Sequence, residues 1–560
     1  MKLIRPHAGR TDPLNCCNCA TQAGRVPTGT AYKSNQVTAD SMWSNGTSLS
    51  MVGNKRLAIN VVMNWAATAV NMVVPFFLTP FVVRHLGAVG YGVWIIAVSA
   101  VSYLNLLDMG MRSAVIRYVS KAQAKGELAE ATSAIHAALW FRMIIAGGVG
   151  VLSFVLAFAV PHMFKIPPDL TRAAQITVLL CALGVGVTLV GGVFGAVLAA
   201  INRFDLLSII TMCQTVMRAC GVVAILLSGR GLISLACWEL TILLLVAIAT
   251  VLCAIKVFPH SRVRPGRPDM RVVRMIWSYS FTTFVFMIAV QIIANTDNLV
   301  VGAFLSVSVV TFYAIGGSLI NYAYSISGAL SSTFTPLASG LEASGRFDDL
   351  RKMLIRGTQA TLALALPISA GLFFRGGTFI RLWMGPEYQV VSETVVRVLM
   401  LSMFLGVANA TAGSIMMAIE KHKPMAHFAV FEALLNLGLS IALVKTIGMY
   451  GVAWGTSISM LITHLAFWPY YIKKVLNVSP GTYLWQGWGK PLLGVMPFCI
   501  ACALADHYWH PAHMIVFFAQ MLAVLPVYAI CWILIFRDES RVLFAKLTAS
   551  RRRDAAAQPI

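Results

Sequence analysis

Charge is what this chain has least of. Only 11% of its 560 residues are charged, where a soluble domain carries about 25%. That deficit excludes an ordinary soluble globular protein. With 58% hydrophobic residues, the chain reads as one that enters a bilayer many times. Acids are scarcer still, 21 against 43 Lys and Arg. A basic excess suits nucleic acid, but here the bases sit in short loops between apolar runs. That is the pattern of cytoplasmic loops, so no nucleic-acid partner is expected. Catalytic motifs are missing too. There is no P-loop, no H-E-x-x-H and no G-x-S-x-G, so ATP hydrolysis and the common hydrolytic sites are not expected. The chain is read as no enzyme, with no cofactor. Eleven cysteines make no disulfide or metal framework. Most lie in or beside apolar runs, where cysteine behaves as a small hydrophobe. Cys16, Cys17 and Cys19 lack the second pair that a zinc site needs. The histidines are scattered, and "DHYWHPAH" (506–513) reads as a loop holding two helices at the interface rather than a metal site.

What is present is apolar runs of about 20 residues or more without alternation, which specifies membrane helices rather than barrel strands. Fourteen are expected: 57–83, 89–111, 136–160, 174–200, 205–228, 232–256, 275–296, 307–333, 354–374, 391–418, 425–446, 451–472, 489–506 and 513–536. With the N-terminus inside, 28 Lys and Arg fall on the cytoplasmic side and seven on the other, Arg375 and Arg381 among them. This bias predicts both termini in the cytoplasm.

The chain also repeats itself. "SKAQAKGELAE" (120–130) precedes "SGLEASGRFDD" (339–349) by 219 positions, and "GAVLAAINRFD" (195–205) precedes "GSIMMAIEKHK" (413–423) by 218. One register held through helices and loops predicts two related six-helix bundles in parallel orientation. The expected organisation is a tail at 1–54, disordered or lying upstream of the true start, and a first bundle at 55–256. A basic linker follows at 257–274, then a second bundle at 275–472, two further helices at 473–536 and a basic tail at 537–560. Two matching bundles suggest a carrier with a cavity between them.

"RHLGAVGYGVW", "YLNLLDMGMRSAVIRYVSKA" and "NTDNLVVGAFLSVSVVTFYAIG" resemble the polysaccharide flippase family of the multidrug/oligosaccharidyl-lipid/polysaccharide exporters. The resemblance covers about residues 55–475. It implies a MATE-like all-α architecture in a bacterial inner membrane. It also implies a substrate, undecaprenyl-diphosphate-linked oligosaccharide, flipped from the cytoplasmic to the periplasmic leaflet for surface polysaccharide such as lipopolysaccharide or exopolysaccharide. A polymerase and export machinery would be partners. The alternatives are a multidrug or cation antiporter, a peptidoglycan-precursor flippase and, from another class, a membrane glycosyltransferase or polymerase.

Charges inside a membrane are costly and are the candidates for function. Asp108 and Arg112, four apart, read either as an ion pair that sets topology at a helix end or, with Arg117, as a cytoplasmic gate. The repeat aligns Gln214 with Glu432 and Arg218 with Asn436, giving matching polar stripes that line a cavity or bind neighbouring helices. On the cavity reading Arg218 is the candidate for the diphosphate, since guanidinium grips phosphate oxygens in pairs. Glu432 is then a candidate for proton or sodium coupling. Arg142 and Arg397 either line the cavity or reach to an interface. Asp297 caps a helix or binds the coupling ion. Glu239 has no partner nameable from sequence. Asn64, Thr68 and Asn71 form a polar stripe on the first span, which carries Pro75 and Pro80 and so is able to bend.

Overall fold

The computed structural model describes residues 40–261 and 270–537; the remainder of the expected N-terminal tail, linker and C-terminal tail lies outside the described residues. Asp40 to Ala58 is helical and belongs to a unit of its own. All that follows concerns the unit Ile59–Ile560.

Among the described residues the fold is entirely helical. The chain runs α1 (Asp40–Ser102), a 3-10 turn (Tyr103–Asp108), α2 (Met111–Lys125), α3 (Leu128–Met163), α4 (Pro168–Ala200), α5 (Phe204–Leu227) and α6 (Leu232–Val257). It continues with α7 (Met270–Phe304), α8 (Val307–Ser332), α9 (Phe334–Ala343), α10 (Phe347–Trp383), α11 (Gln389–Ala418), α12 (Lys423–Ile447) and α13 (Met449–Leu476). A short turn α14 (Pro480–Thr482) and a π turn (Tyr483–Gly489) lead into the hairpin α15 (Lys490–Tyr508) and α16 (Met514–Ile535). Twelve helical segments among the described residues are long and apolar enough to cross a membrane. The first, Val62–Lys125, holds two of the spans expected from sequence. The expected span 451–472 falls in α13, which is not among the twelve.

α1 remains helical through Pro75 and Pro80 and breaks at Gly87 (φ 70, ψ 169). The expected proline bend is therefore displaced to the one residue type that enters the left-handed region without a Cβ clash. Thr79 Oγ1 donates to the Pro75 carbonyl at 2.8 Å.

The repeat is visible in the backbone. Left-handed residues close corresponding turns at Gly126 and Gly345, Lys165 and Gly385, Asn202 and Glu420, and Gly229 and Gly448. These pairs are separated by 219, 220, 218 and 219 positions. The helices between them correspond: α3 has 36 residues and α10 has 37, while α5 has 24 and α12 has 25. The sequence register thus extends to where each helix stops.

One large core joins the leg of α1 after Gly87 to α7, α8, α10, α11 and α13. A smaller core, with Val115, Ile135, Val197 and Phe258, sits inside α2, α3, α4 and α6. The α15–α16 hairpin docks on α10. Arg375 of α10, 0% exposed, donates to the Trp509 carbonyl at 3.1 Å and to Gln520 Oε1 at 2.7 Å. It also lies 4.9 Å from the Phe517 ring centroid. Thr378 donates to Asp506 at 2.8 Å. The 506–513 loop therefore holds the hairpin in place, as expected, but Arg375 and Arg381 lie within α10 and not in a loop. Helices run past the hydrocarbon layer, so an apolar count places their ends too early.

Candidate functional site

The two halves meet along a polar seam. Trp383 Nε1 donates to the Phe76 carbonyl at 2.9 Å, and its ring stacks on Phe76. Thr311 donates to the Ala88 carbonyl at 2.6 Å. Further along the same leg, Asn298 donates to Ser99 at 3.3 Å and Gln291 to Ser102 at 2.6 Å. The Tyr103 and Thr296 hydroxyls also bond to each other. Side chain to side chain or carbonyl, these contacts exchange readily for water and so form a breakable joint. Gly92 makes the approach possible, since a Cβ there would stand 2.1 Å from the Val307 carbonyl oxygen.

Two ion pairs among the residues singled out from sequence lie in the first half. Asp108 does not pair with Arg112. It ends the 3-10 turn, and the left-handed residues Met109 and Gly110 separate it from α2, so the four-residue helical spacing is lost. Asp108 pairs instead with Arg142, which is 2% exposed and also donates to the Leu189 carbonyl at 2.6 Å. Arg142 therefore neither snorkels nor lines an open space. Arg112 and Arg117 are exposed on α2. Arg218 of α5 donates to Glu239 of α6 at 2.6 Å, so Glu239 has the partner that sequence could not name. The Arg218 side chain is still 38% exposed, and its Nε has no hydrogen-bond partner. Asn71 accepts from Thr215 of α5, joining the α1 stripe to α5. Asn64 is exposed and Gln214 half-buried.

The second half holds two buried networks. Asp297 of α7 is 8% exposed, and its Oδ2 accepts from Tyr313 at 2.6 Å and Thr456 at 2.8 Å. Thr456 in turn accepts from Asn436 Nδ2 at 2.9 Å. Asp297 Oδ1 and Asn436 Oδ1 are both buried without a partner. Asp297 is thus a four-helix junction and not a cap, and Asn436, 1% exposed, lines no open cavity. Glu432 accepts from Thr463 at 2.8 Å and lies 3.3 Å from His464 Nε2. His464 was missed in sequence, because a single histidine in an apolar run carries no spacing signal. Arg397 pairs with Glu393 one turn away and donates to the Phe373 carbonyl at 3.2 Å. Its side chain is 46% exposed.

In both halves, then, the stripe on α5 or α12 bonds to the next helix, α6 or α13. On α5 the first half leaves a guanidinium partly open, whereas the matching helix α12 carries a buried carboxylate and a buried amide. Two apolar grooves, one between α3, α4 and α6 and one between α10, α15 and α16, contain none of the residues singled out from sequence. Among the described residues no cluster of three or more His, Cys, Asp or Glu could hold a metal ion.

Comparison with known proteins places this geometry. The profile of a family described as polysaccharide biosynthesis protein matches residues 81–393. The uncharacterized membrane protein EpsK of Bacillus subtilis is 22% identical over 77% of this chain and 85% of its own length. The putative O-antigen transporter of Shigella flexneri is 21% identical over 72% of this chain and 95% of its own. Among solved structures, the lipid II flippase MurJ in an inward closed conformation superposes with a TM-score of 0.68 at 16% identity, covering 86% of this chain and 99% of that one. An inward-facing MATE family multidrug transporter gives 0.58 at 12% identity, covering 73% and 99%. At these identities the two structures establish the fold, which is MATE-like.

Proposed function

The chain belongs to the polysaccharide biosynthesis protein family, a multi-pass membrane flippase of polysaccharide precursors and not an enzyme, and from that premise we propose its substrate, direction and coupling. The substrate is undecaprenyl-diphosphate-linked oligosaccharide. It moves from the cytoplasmic to the periplasmic leaflet of a bacterial inner membrane, beside a polymerase and export machinery. Counting the broken α1 twice and α13 once gives fourteen crossings, and the bias of Lys and Arg among the loops supports both termini in the cytoplasm. The two halves exchange access by opening and closing the seam between α1 and α7, α8 and α10.

The observation that carries the substrate class is Arg218. It is a guanidinium on a membrane helix that donates to Glu239 at 2.6 Å while its side chain stays 38% exposed. A charge left partly free inside a membrane is expensive and marks a ligand of opposite charge. A diphosphate supplies it, and guanidinium matches its oxygens in pairs. Outward movement of each negative charge is favoured by about 2.3 kcal/mol per 100 mV of inside-negative potential. A coupling cation has a candidate place in the second half. Asp297 Oδ1 and Asn436 Oδ1 are buried acceptors left open beside Thr456, and such acceptors suit sodium.

The test is a deletion strain complemented with wild type or Arg218→Ala. Lipid-linked oligosaccharide should accumulate on the cytoplasmic face in the deletion and with Arg218→Ala, at normal protein level. Correct placement of lipid-linked sugars in the deletion, together with raised drug sensitivity, would replace this reading with the antiporter.

A further inference from the structure

His464 occupies an unusual position in α13. Its side chain is 12% exposed and that of Glu432 10%. The Nε2 edge faces Glu432 Oε2 at 3.3 Å. The Nδ1 edge faces two groups at once, Asn409 Nδ2 at 3.1 Å and the Leu405 carbonyl at 3.1 Å. One of these is a donor and the other an acceptor. The imidazole is therefore satisfied in either protonation state. When neutral, Nδ1 accepts from the Asn409 amide and Nε2–H donates to Glu432. When protonated, Nδ1–H donates to the Leu405 carbonyl, and Asn409 keeps its own bond to that carbonyl at 2.9 Å. A histidine kept only for packing needs a single set of partners; this one has both.

The ring is also wired outward. Asn409 Oδ1 accepts from the Tyr483 hydroxyl at 3.0 Å, which lies 3.1 Å from the Ala408 carbonyl as well. Tyr483 is 0% exposed and opens the π turn Tyr483–Gly489 ahead of α15. Single π turns recur at functional sites. Among the described residues the titratable group acting on Glu432 is Tyr324 of α8, whose hydroxyl donates to the Ser402 carbonyl at 3.0 Å, while Tyr483 reaches the pair through Asn409. Neither Glu432 nor His464 makes another ion pair among the described residues.

We infer that Glu432 and His464 form a proton-binding site, with His464 taking up the proton and Asn409 passing the change to Tyr483 and the π turn. Loading converts an anionic pair into a neutral ion pair, which costs less to carry through a low-dielectric interior. The inference rests on the flippase reading and deepens it. It assigns protons to α12–α13 at Glu432, apart from the cation place at Asp297.

The test uses full-length protein with isotope-labelled histidine. The wild-type spectrum minus that of His464→Gln isolates the ring, and unchanged signals from the remaining histidines report that the variant is folded. The His464 signals should move from the neutral to the imidazolium form as the sample is acidified. In Glu432→Gln its hold on the proton should weaken about tenfold, because the facing carboxylate charge is gone. A ring that stays in one tautomer throughout, or a midpoint that Glu432→Gln leaves in place, overturns the inference. In liposomes, with lipid-linked oligosaccharide extracted from host membranes as the probe, His464→Gln should flatten the pH profile of flipping and keep its sodium dependence. A pH profile unchanged in His464→Gln also overturns it. Wild-type liposomes that move none of the probe would sink the flippase reading itself, leaving the titration to decide the proton site.

Discussion

Arg142 is the buried charge whose role the structure makes most sharply testable. Its guanidinium is 2% exposed, bonded to Asp108 and to the Leu189 carbonyl, and a Cβ added to Gly192 would stand 2.7 Å from its Nη1. Arg142→Met removes one ion of the pair and strands Asp108, whose side chain is only 20% exposed. Breaking a buried pair from one side costs about 3–5 kcal/mol. Asp108→Asn should approach the same cost, since it leaves a guanidinium charge buried without its counter-ion. The double variant removes both charges and strands neither. Replacing a whole pair is often neutral, so Arg142→Met with Asp108→Asn should lie within about 1.5 kcal/mol of wild type. The coupling between the two sites should then be about 4 kcal/mol or more.

The assay is reversible unfolding in mixed micelles, followed by flipping with the same proteins. Single variants that each cost less than about 1 kcal/mol would refute the argument, because the pair would then be screened as if exposed. A double variant with restored stability and restored flipping assigns Arg142 to structure. Restored stability without flipping would return Arg142 to the substrate path.

Two other predictions concern the joints of the fold. Gly92→Ala places a Cβ 2.1 Å from the Val307 carbonyl oxygen, and a backbone atom cannot yield cheaply. It should cost about 1–3 kcal/mol and raise the accessibility of a cysteine placed at Ser99 to a thiol reagent; an unchanged labelling rate would mean that the seam is not held there. Arg375→Ala removes the clasp on the Trp509 carbonyl and Gln520. Limited proteolysis of the detergent-purified protein should then cut within 509–513 at least tenfold faster, and an unchanged rate would show that apolar packing on α10 holds the hairpin by itself.

Much of the fold was legible because hydrocarbon thickness and the repeat are both written in residue types. Expected spans 205–228, 232–256 and 391–418 correspond to α5, α6 and α11 within about two residues at each end. Less was legible where polar helix extends past the apolar run, as in α10, or where a turn changes the meaning of a spacing. Asp108 and Arg112 are four apart, yet two left-handed residues put them on different elements. The site was partly legible for the same reason. Arg218, Glu239, Glu432, Asp297 and Asn436 were visible as isolated polar residues in apolar runs. Their partners were not, because Arg218–Glu239 and Asp297–Thr456 join helices 21 and 159 positions apart, and no local pattern encodes that.

The repeat duplicates backbone and not chemistry. Thr361 occupies in α10 the place that Arg142 holds in α3, and its hydroxyl bonds only to the Gly357 carbonyl and to neighbouring hydroxyls. Asn436 stands where Arg218 does and donates from its amide to Thr456 at 2.9 Å. Symmetric halves with symmetric charge would present two equivalent anion sites, and a single diphosphate would be shared between them at every stage of the cycle. On the proposed reading, a partly open guanidinium on α5 and a buried carboxylate and amide on the matching α12 would let the two helices answer to different ligands. Coupling then requires only that the seam between α1 and α7, α8 and α10 be the element both occupancies bias. Asp297 and Asn298 are adjacent on α7. The first serves the buried network, while the second bonds Ser99 across the seam. On the proposed coupling, a cation drawing on Asp297 Oδ1 would act one residue from a bond that would have to break for the halves to part.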